Sequence, residues 1–209
     1  MGTLKEENFS SPAGYQISKE KICNLLKPDT WFCDQAINIC LENIRSNAGQ
    51  IRLTDSFFYA ELVSPNERLS FPKWTTFFKK FETWVIPVNI DYHWSLILLK
   101  NKRHRVEIEC WDSLPTESRL DKIKSQLLCS YRQYSVKTKN FSISYQHDCY
   151  IQNDRSNCGV FLIGNILAFI FNKKNSNMDS KNARIAIALM ILNTVQPFQS
   201  NFHNFSTNE

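Results

Sequence analysis

Glycine is scarce in this chain: five in 209 residues, at Gly2, Gly14, Gly49, Gly159 and Gly164. No three of them fit G-x-G-x-x-G. Gly159 and Gly164 have P-loop spacing, but Asn165 stands where that loop needs lysine. Phosphate-cradling loops of the Rossmann or P-loop kind are therefore excluded. No C-x-x-C pair occurs among the seven cysteines (23, 33, 40, 110, 129, 149 and 158), and their odd number leaves at least one thiol free. The first ten residues, MGTLKEENFS, hold no apolar run of the secretory kind, and Glu6 fills the position where a myristoylation signal has Ser or Thr. A reduced, intracellular protein is expected. The longest apolar run, Val160 to Phe171, is too short to span a bilayer, so no membrane partner is expected. The net charge of +5 is spread along the chain. Its tightest cluster, Lys100, Lys102, Arg103, His104 and Arg105, reads as a solvated hairpin turn. With no base-reading motif, nucleic acid is not an expected partner.

What is present is an ordinary globular composition, 43% hydrophobic and 13% aromatic, enough for one core without metals or disulfides. The polar stretch 1–14, with Pro12 and Gly14, reads as a flexible arm, and 197–209 as a disordered tail. Residues 15–196 then form a single domain. Ile37, Cys40, Leu41 and Ile44 recur at helical spacing and predict a helix over 34–46. The Phe- and Trp-rich segment 50–83, broken by Pro65 and Pro72, predicts a helix near 72–81. Val85–Ile90, Trp94–Leu99 and 106–110 read as strands, the middle one apolar on both faces as a central strand is. The basic turn at 100–105 joins the last two as a hairpin. A helix over 117–131 and a strand over 141–151 follow. Cys158 to Phe171 is apolar on almost every face, the mark of a buried helix. A last helix runs from Asp179 or Ser180 to about 193, carrying Ile185, Leu189 and Leu192.

Cys158 stands where a polar loop, Asn153-Asp154-Arg155-Ser156-Asn157, meets that buried helix. Unpaired N–H groups and the helix dipole at such a terminus favour the thiolate, the nucleophilic form. A nucleophilic thiol needs a base, and the base an orienting group. Of four histidines, His93 begins the central strand. Asp112 ends the neighbouring strand, so a hairpin turning at 100–105 brings the two to the same open end. A carboxylate beside an imidazole fixes its tautomer and stabilises the imidazolium. Gln152, six residues before Cys158, can return a side-chain amide as an oxyanion donor.

The order His…Asp…Gln-x5-Cys-Gly resembles the ubiquitin-like-protein-specific cysteine proteases, the SUMO (sentrin) proteases and their relatives. The matching stretches are Trp31-Phe32-Cys33-Asp34-Gln35-Ala36-Ile37-Asn38, His93-Trp94-Ser95-Leu96, Trp111-Asp112-Ser113 and Gln152 to Phe161. The resemblance covers about 28–195 and implies an α+β, papain-like cysteine protease fold: a mixed central sheet flanked by helices, with the nucleophile at the N-terminus of a buried helix. It implies Cys158 as nucleophile, His93 as base, Asp112 as its orienter and Gln152 as oxyanion donor, with no metal or cofactor. It further implies that Trp31 and Trp94 line a tunnel for the modifier's Gly-Gly tail and that Asp34 contacts an arginine on the modifier. Two positions depart from the family pattern, which usually has Asp before the nucleophile and often Asn four residues before it; here these are Asn157 and Asp154.

The implied activity is that of a monomeric thiol isopeptidase of nucleus or cytoplasm that cleaves after Gly-Gly in modifier conjugates and precursors. The segment 52–83 and the Trp31-x-x-Asp34-x-x-Ile37-Asn38 pattern point to SUMO as the modifier. Ubiquitin or a Nedd-type protein is the alternative within the class. Outside it stand a catalytically decayed modifier-binding module and an effector-type acetyltransferase, which shares a His–acid–Cys order.

Overall fold

The computed structural model describes residues 7–45, 51–80, 83–102, 105–134, 140–173 and 177–197. The elements run β1 (Asn8–Ser10), β2 (Gln16–Ser18), α1 (Lys19–Leu25), α2 (Asp34–Arg45), β3 (Arg52–Leu53), α3 (Phe58–Leu62), α4 (Glu67–Lys80), β4 (Thr83–Ile90), β5 (His93–Asn101), β6 (Arg105–Trp111), α5 (Glu117–Tyr134), β7 (Asn140–Tyr145), α6 (Cys158–Ile170), α7 (Ser180–Thr194) and β8 (Gln196–Pro197). Five strands form a mixed sheet in the order β3-β4-β5-β6-β7. The central pairs β4–β5 and β5–β6 are antiparallel, and the outer pairs β3–β4 and β6–β7 are parallel.

The sheet divides the core in two because successive strand residues point to opposite faces. Leu96 and Leu98 of β5 pack on one face with Ile37 and Leu41 of α2, Val160 and Ile163 of α6, and Ile187 and Ile191 of α7. Ile97 and Leu99 pack on the other with Phe58 of α3, Trp74 and Phe77 of α4, and Ile123 and Leu127 of α5. This two-sided burial explains why β5 is apolar at consecutive positions, whereas Glu107 and Glu109 of β6 remain partly exposed.

Four sequence expectations differ from the structure. Residues 8–10, read as part of a loose arm, form β1, which pairs with both β2 and β8. Pro72 does not delimit a helix; it lies inside α4, which begins at Glu67. Packing of the buried Trp74 and Phe77 outweighs the missing N–H, as tertiary context commonly does. β7 ends at Tyr145, and 146–157 is loop. On α7 the apolar side chains Ile185, Leu189 and Leu192 are 44%, 54% and 47% exposed; the buried stripe is Arg184, Ile187, Ala188 and Ile191. His104 and the tail 198–209 lie outside the described residues.

Candidate active site

The site begins at the β4–β5 turn. Ile90 pairs with His93, leaving a two-residue turn with Asp91 at φ 53° and Tyr92 at φ 59°. Positive φ at both positions is the type I′ pattern that suits strand twist, although glycine or asparagine is the usual occupant. Lys122 Nζ on α5 donates to Asp91 Oδ1 at 2.6 Å, tying the turn to the helix behind it. The β5–β6 register pairs Leu96 with Trp111, so His93 and Asp112 emerge at one end of the sheet. His93 Nε2 and Asp112 Oδ1 are 2.6 Å apart.

Asp112 is held on both oxygens. The Leu114 N–H donates to Oδ1 at 2.8 Å, and Arg119 Nη1 on α5 donates to Oδ2 at 2.5 Å. Burial opposes its charge, but these donors and the imidazole hold its carboxyl below the usual carboxylate range.

Cys158 is the first residue of α6 and is 1% exposed. Burial raises a thiol pKa. Here it is outweighed by the hydrogen bond and charge of His93 and by the backbone N–H groups of Trp94 and Gly159, and the thiol lies below its ordinary value. Conversely, burial lowers the His93 pKa, while hydrogen bonds to Asp112 and Cys158 and the Asp112 charge raise it to a net increase; Arg119 opposes them. Because Asp112 occupies Nε2, Nδ1 is the nitrogen left for the thiol. A thiol pushed down beside an imidazole pushed up is the electrostatic condition for a thiolate–imidazolium pair.

Gln152 is buried and held at three points. Its backbone N–H donates to the Ser113 carbonyl at 2.9 Å, Ser113 Oγ donates to its Oε1 at 2.6 Å, and its Nε2 donates to the Asp154 carbonyl at 2.6 Å. An amide NH₂ has two protons, so one remains for an incoming oxygen. Adjacent residues at the end of β6 thus serve two tasks: Asp112 holds His93, and Ser113 holds Gln152.

Trp31 and Trp94 differ in environment. Trp31 is 50% exposed, with its ring centroid 6.3 Å from that of Tyr92. Trp94 is buried, and its Nε1 donates to the Phe32 carbonyl at 3.0 Å. Phe32 packs so closely on Gly159 that an added Cβ there would lie 2.6 Å from Phe32 Cβ. The missing side chain at Gly159 is what leaves room for the Phe32 side chain against the first turn of α6. Asp34 opens α2, partly exposed.

Arg119, Ser113 and Arg184 were not singled out by sequence reasoning. Arg119 lies seven residues from Asp112, a separation that no motif encodes. Arg184 left a signal: it is the charged member of the stripe Arg184, Ile187, Ala188 and Ile191, which helical spacing places on one face.

A thiol at a buried helix terminus, beside an imidazole braced by a carboxylate, is the arrangement of a thiol-dependent acyl-transfer enzyme. The model of the Ulp1 protease family, C-terminal catalytic domain, matches residues 30–196, and the chain belongs to that family. Ubiquitin-like-specific protease 2 of Saccharomyces cerevisiae is 29% identical over an alignment covering 83% of this chain and 21% of that protein, so the match spans about a fifth of the relative. The C-terminal Ulp1 protease domain solved in complex with Smt3, the yeast ortholog of SUMO, aligns with a TM-score of 0.71 at 20% identity, covering 92% of this chain and 90% of that one. The Xanthomonas campestris effector XopD, solved bound to ubiquitin, aligns at 0.56 and 16% identity, over 78% of this chain and 92% of that one. At such identities the structural likeness establishes the fold.

Proposed function

We propose that this chain is a thiol isopeptidase that cleaves after the C-terminal Gly-Gly of a ubiquitin-like modifier, with SUMO the modifier, and that residues 15–196, together with β1 and β8 that pair at their edge, form its catalytic domain. The observation that carries this reading is the His93–Asp112 pair, 2.6 Å apart, with Cys158 at the start of the buried helix α6 and its thiol pushed below its ordinary value by that same imidazole. The Cys158 thiolate attacks the carbonyl of the modifier's last glycine. Gln152 Nε2 and a backbone N–H near Cys158 receive the negative charge on the carbonyl oxygen. As the tetrahedral intermediate collapses, the imidazolium of His93 gives its proton to the departing lysine amine and leaves a thioester. His93 then takes a proton from water, the resulting hydroxide cleaves the thioester, and the thiol returns. Asp112 keeps the ring oriented throughout. Trp31 and Trp94 flank the Gly-Gly tail, where side chains larger than hydrogen would not pass, and Asp34 meets an arginine of the modifier. The location is nucleus or cytoplasm, a reading supported by seven cysteines, an odd number with no C-x-x-C pair.

The test is reaction of wild type and Cys158→Ala with SUMO, ubiquitin and a Nedd-type protein, each carrying a C-terminal electrophile. A covalent adduct with SUMO that the variant loses is the expected result. An adduct with ubiquitin alone would reassign the modifier. Binding without any adduct would overturn the enzymatic reading in favour of a modifier-binding module.

A further inference from the structure

The loop before Cys158 carries a hydrogen-bond chain that the chemistry above does not use. Arg184 on α7 is 2% exposed. Its Nε donates to Asn157 Oδ1 at 2.7 Å, its Nη1 to the Leu25 carbonyl at 2.7 Å, and its Nη2 to the carbonyls of Pro28 and Thr30 at 3.0 and 2.7 Å. These acceptors are neutral, and no ion pair among the described residues includes Arg184. The guanidinium reaches a carboxylate through an amide instead: Asn157 Nδ2 donates to Asp154 Oδ2 at 2.8 Å. Asp154 Oδ1 accepts the N–H groups of Ser156 and Asn157, both at 2.8 Å. The Asp154 carbonyl holds Gln152 Nε2.

We infer that the Arg184–Asn157–Asp154 relay positions the nucleophile loop, fixing Gln152 and the first turn of α6 while keeping the loop's negative charge off the residue bonded to Cys158. The inference rests on the reading of Cys158 as nucleophile. Its physical content is donor–acceptor matching. Residue 157 must accept from Arg184, so its other side-chain atom decides what residue 154 must be. Asn157 turns an NH₂ toward 154, and the Asp154 oxygen accepts it. With Asn157→Asp alone, two carboxylates face each other. With Asp154→Asn alone, one oxygen still serves the two backbone N–H groups, but two NH₂ groups collide. Exchanging both restores the match. Asp at 157 accepts from Arg184 and from the NH₂ of Asn at 154, whose oxygen still caps the loop. The exchange is not neutral for the sulfur, because a carboxylate now directly precedes Cys158 and disfavours the thiolate.

The experiment uses the full chain as wild type, Asp154→Asn, Asn157→Asp and the double exchange. Two readouts are taken: adduct formation with the modifier electrophile, and iodoacetamide alkylation followed at Cys158 by peptide mass as a function of pH. Each single substitution should slow adduct formation about tenfold or more, the scale of a mismatched buried hydrogen bond. The double exchange should return to within about threefold of wild type, with its alkylation profile displaced to higher pH. If a single variant does not fold, a folded and reactive double exchange is the same rescue. A double exchange no faster than the product of the two single effects would overturn the relay. So would full rescue with an unmoved alkylation profile, which would leave the network a purely structural role. Alkylation needs no modifier, so the two readings fail separately. Wild type without enhanced Cys158 alkylation below the ordinary thiol range sinks the nucleophile itself, whereas normal alkylation with failed rescue sinks only the relay.

Discussion

The two halves of the site are built differently. His93 and Asp112 are set by main-chain register: both leave one end of an antiparallel pair whose partners, Leu96 with Trp111 and Ile97 with Cys110, are dictated by which side chains must be buried. The half carrying Gln152 and Cys158 has no ladder. It is a twelve-residue loop running from the end of β7 at Tyr145 to the start of α6 at Cys158. Side-chain hydrogen bonds donated by Ser113 and Arg184 and accepted by Asp154 hold it. A register-built pair tolerates change around it, because shifting it means shifting a strand. A network-built loop depends on single polar atoms, each costly to leave unmatched in a buried setting.

The largest effect should come from breaking the register-built half at its charge. Asp112→Asn keeps the shape but removes the carboxylate that orients His93 and stabilises its protonated form. A fall of about 10²- to 10⁴-fold in kcat/KM is expected, with an unaltered circular dichroism spectrum. A loss below tenfold would mean that the ring is oriented by its packing rather than by Asp112.

Next comes the loop. Gln152→Ala should cost about 10²- to 10³-fold in kcat, the usual scale for one oxyanion donor. Ser113→Ala, which frees Gln152 Oε1 while leaving the amide in place, should cost only about tenfold. Equal losses in the two variants would show that Ser113 does more than hold the amide.

Legibility in the sequence follows the same division. The hairpin half could be read because strand periodicity, the turn at 100–105 and the order of His93 and Asp112 together imply an antiparallel meeting point. Cys158 could be read because a polar loop giving way to an all-apolar helix marks a helix start. What could not be read are partners distant in sequence and joined through single atoms: Arg119 on Asp112, and Arg184, 27 residues from Asn157. The face of α7 was misassigned for a related reason. Ile185, Leu189 and Leu192 have good helical spacing, but the neighbouring stripe carries Arg184, whose guanidinium has carbonyls of the 25–30 segment waiting for it. Spacing selects among stripes only when burial of apolar surface is the sole term, and here hydrogen bonding decided otherwise.

A stability test separates packing from chemistry. Gly159→Ala places a methyl 2.6 Å from Phe32 Cβ, where the Trp31–Phe32 segment lies across the start of α6. Overpacking of this kind costs about 1–3 kcal/mol, readable as a lowered midpoint in urea. An unchanged midpoint would show that the Phe32 segment moves freely, and Trp31 with it.

The smallest effect is a displacement in pH rather than a loss of rate. Arg119 places a positive charge near His93 and opposes its protonation, while it supports the ionised form of Asp112. The reactive thiolate–imidazolium pair persists between the lowered thiol pKa and the raised imidazole pKa, so activity is lost as pH rises through the folded-state value of His93. Arg119→Ala removes the opposing cation. Two consequences for His93 then share one sign. Its proton is held more tightly once the cation is gone, which moves the alkaline limb upward. Asp112 keeps its hydrogen bonds to His93 and Leu114 N–H and so remains charged at neutral pH, which preserves its pull on the ring. Both favour the charged imidazole, and only a rearranged Asp112 carboxylate would act the other way. The alkaline limb of kcat/KM should therefore move up by a fraction of a unit to about one unit, the scale of a single partly buried charge, with less than about tenfold change at neutral pH. A limb that moves down instead would mean that Arg119 holds the carboxylate in place more than it repels the imidazolium, making even the register-built half of the site dependent on one polar contact.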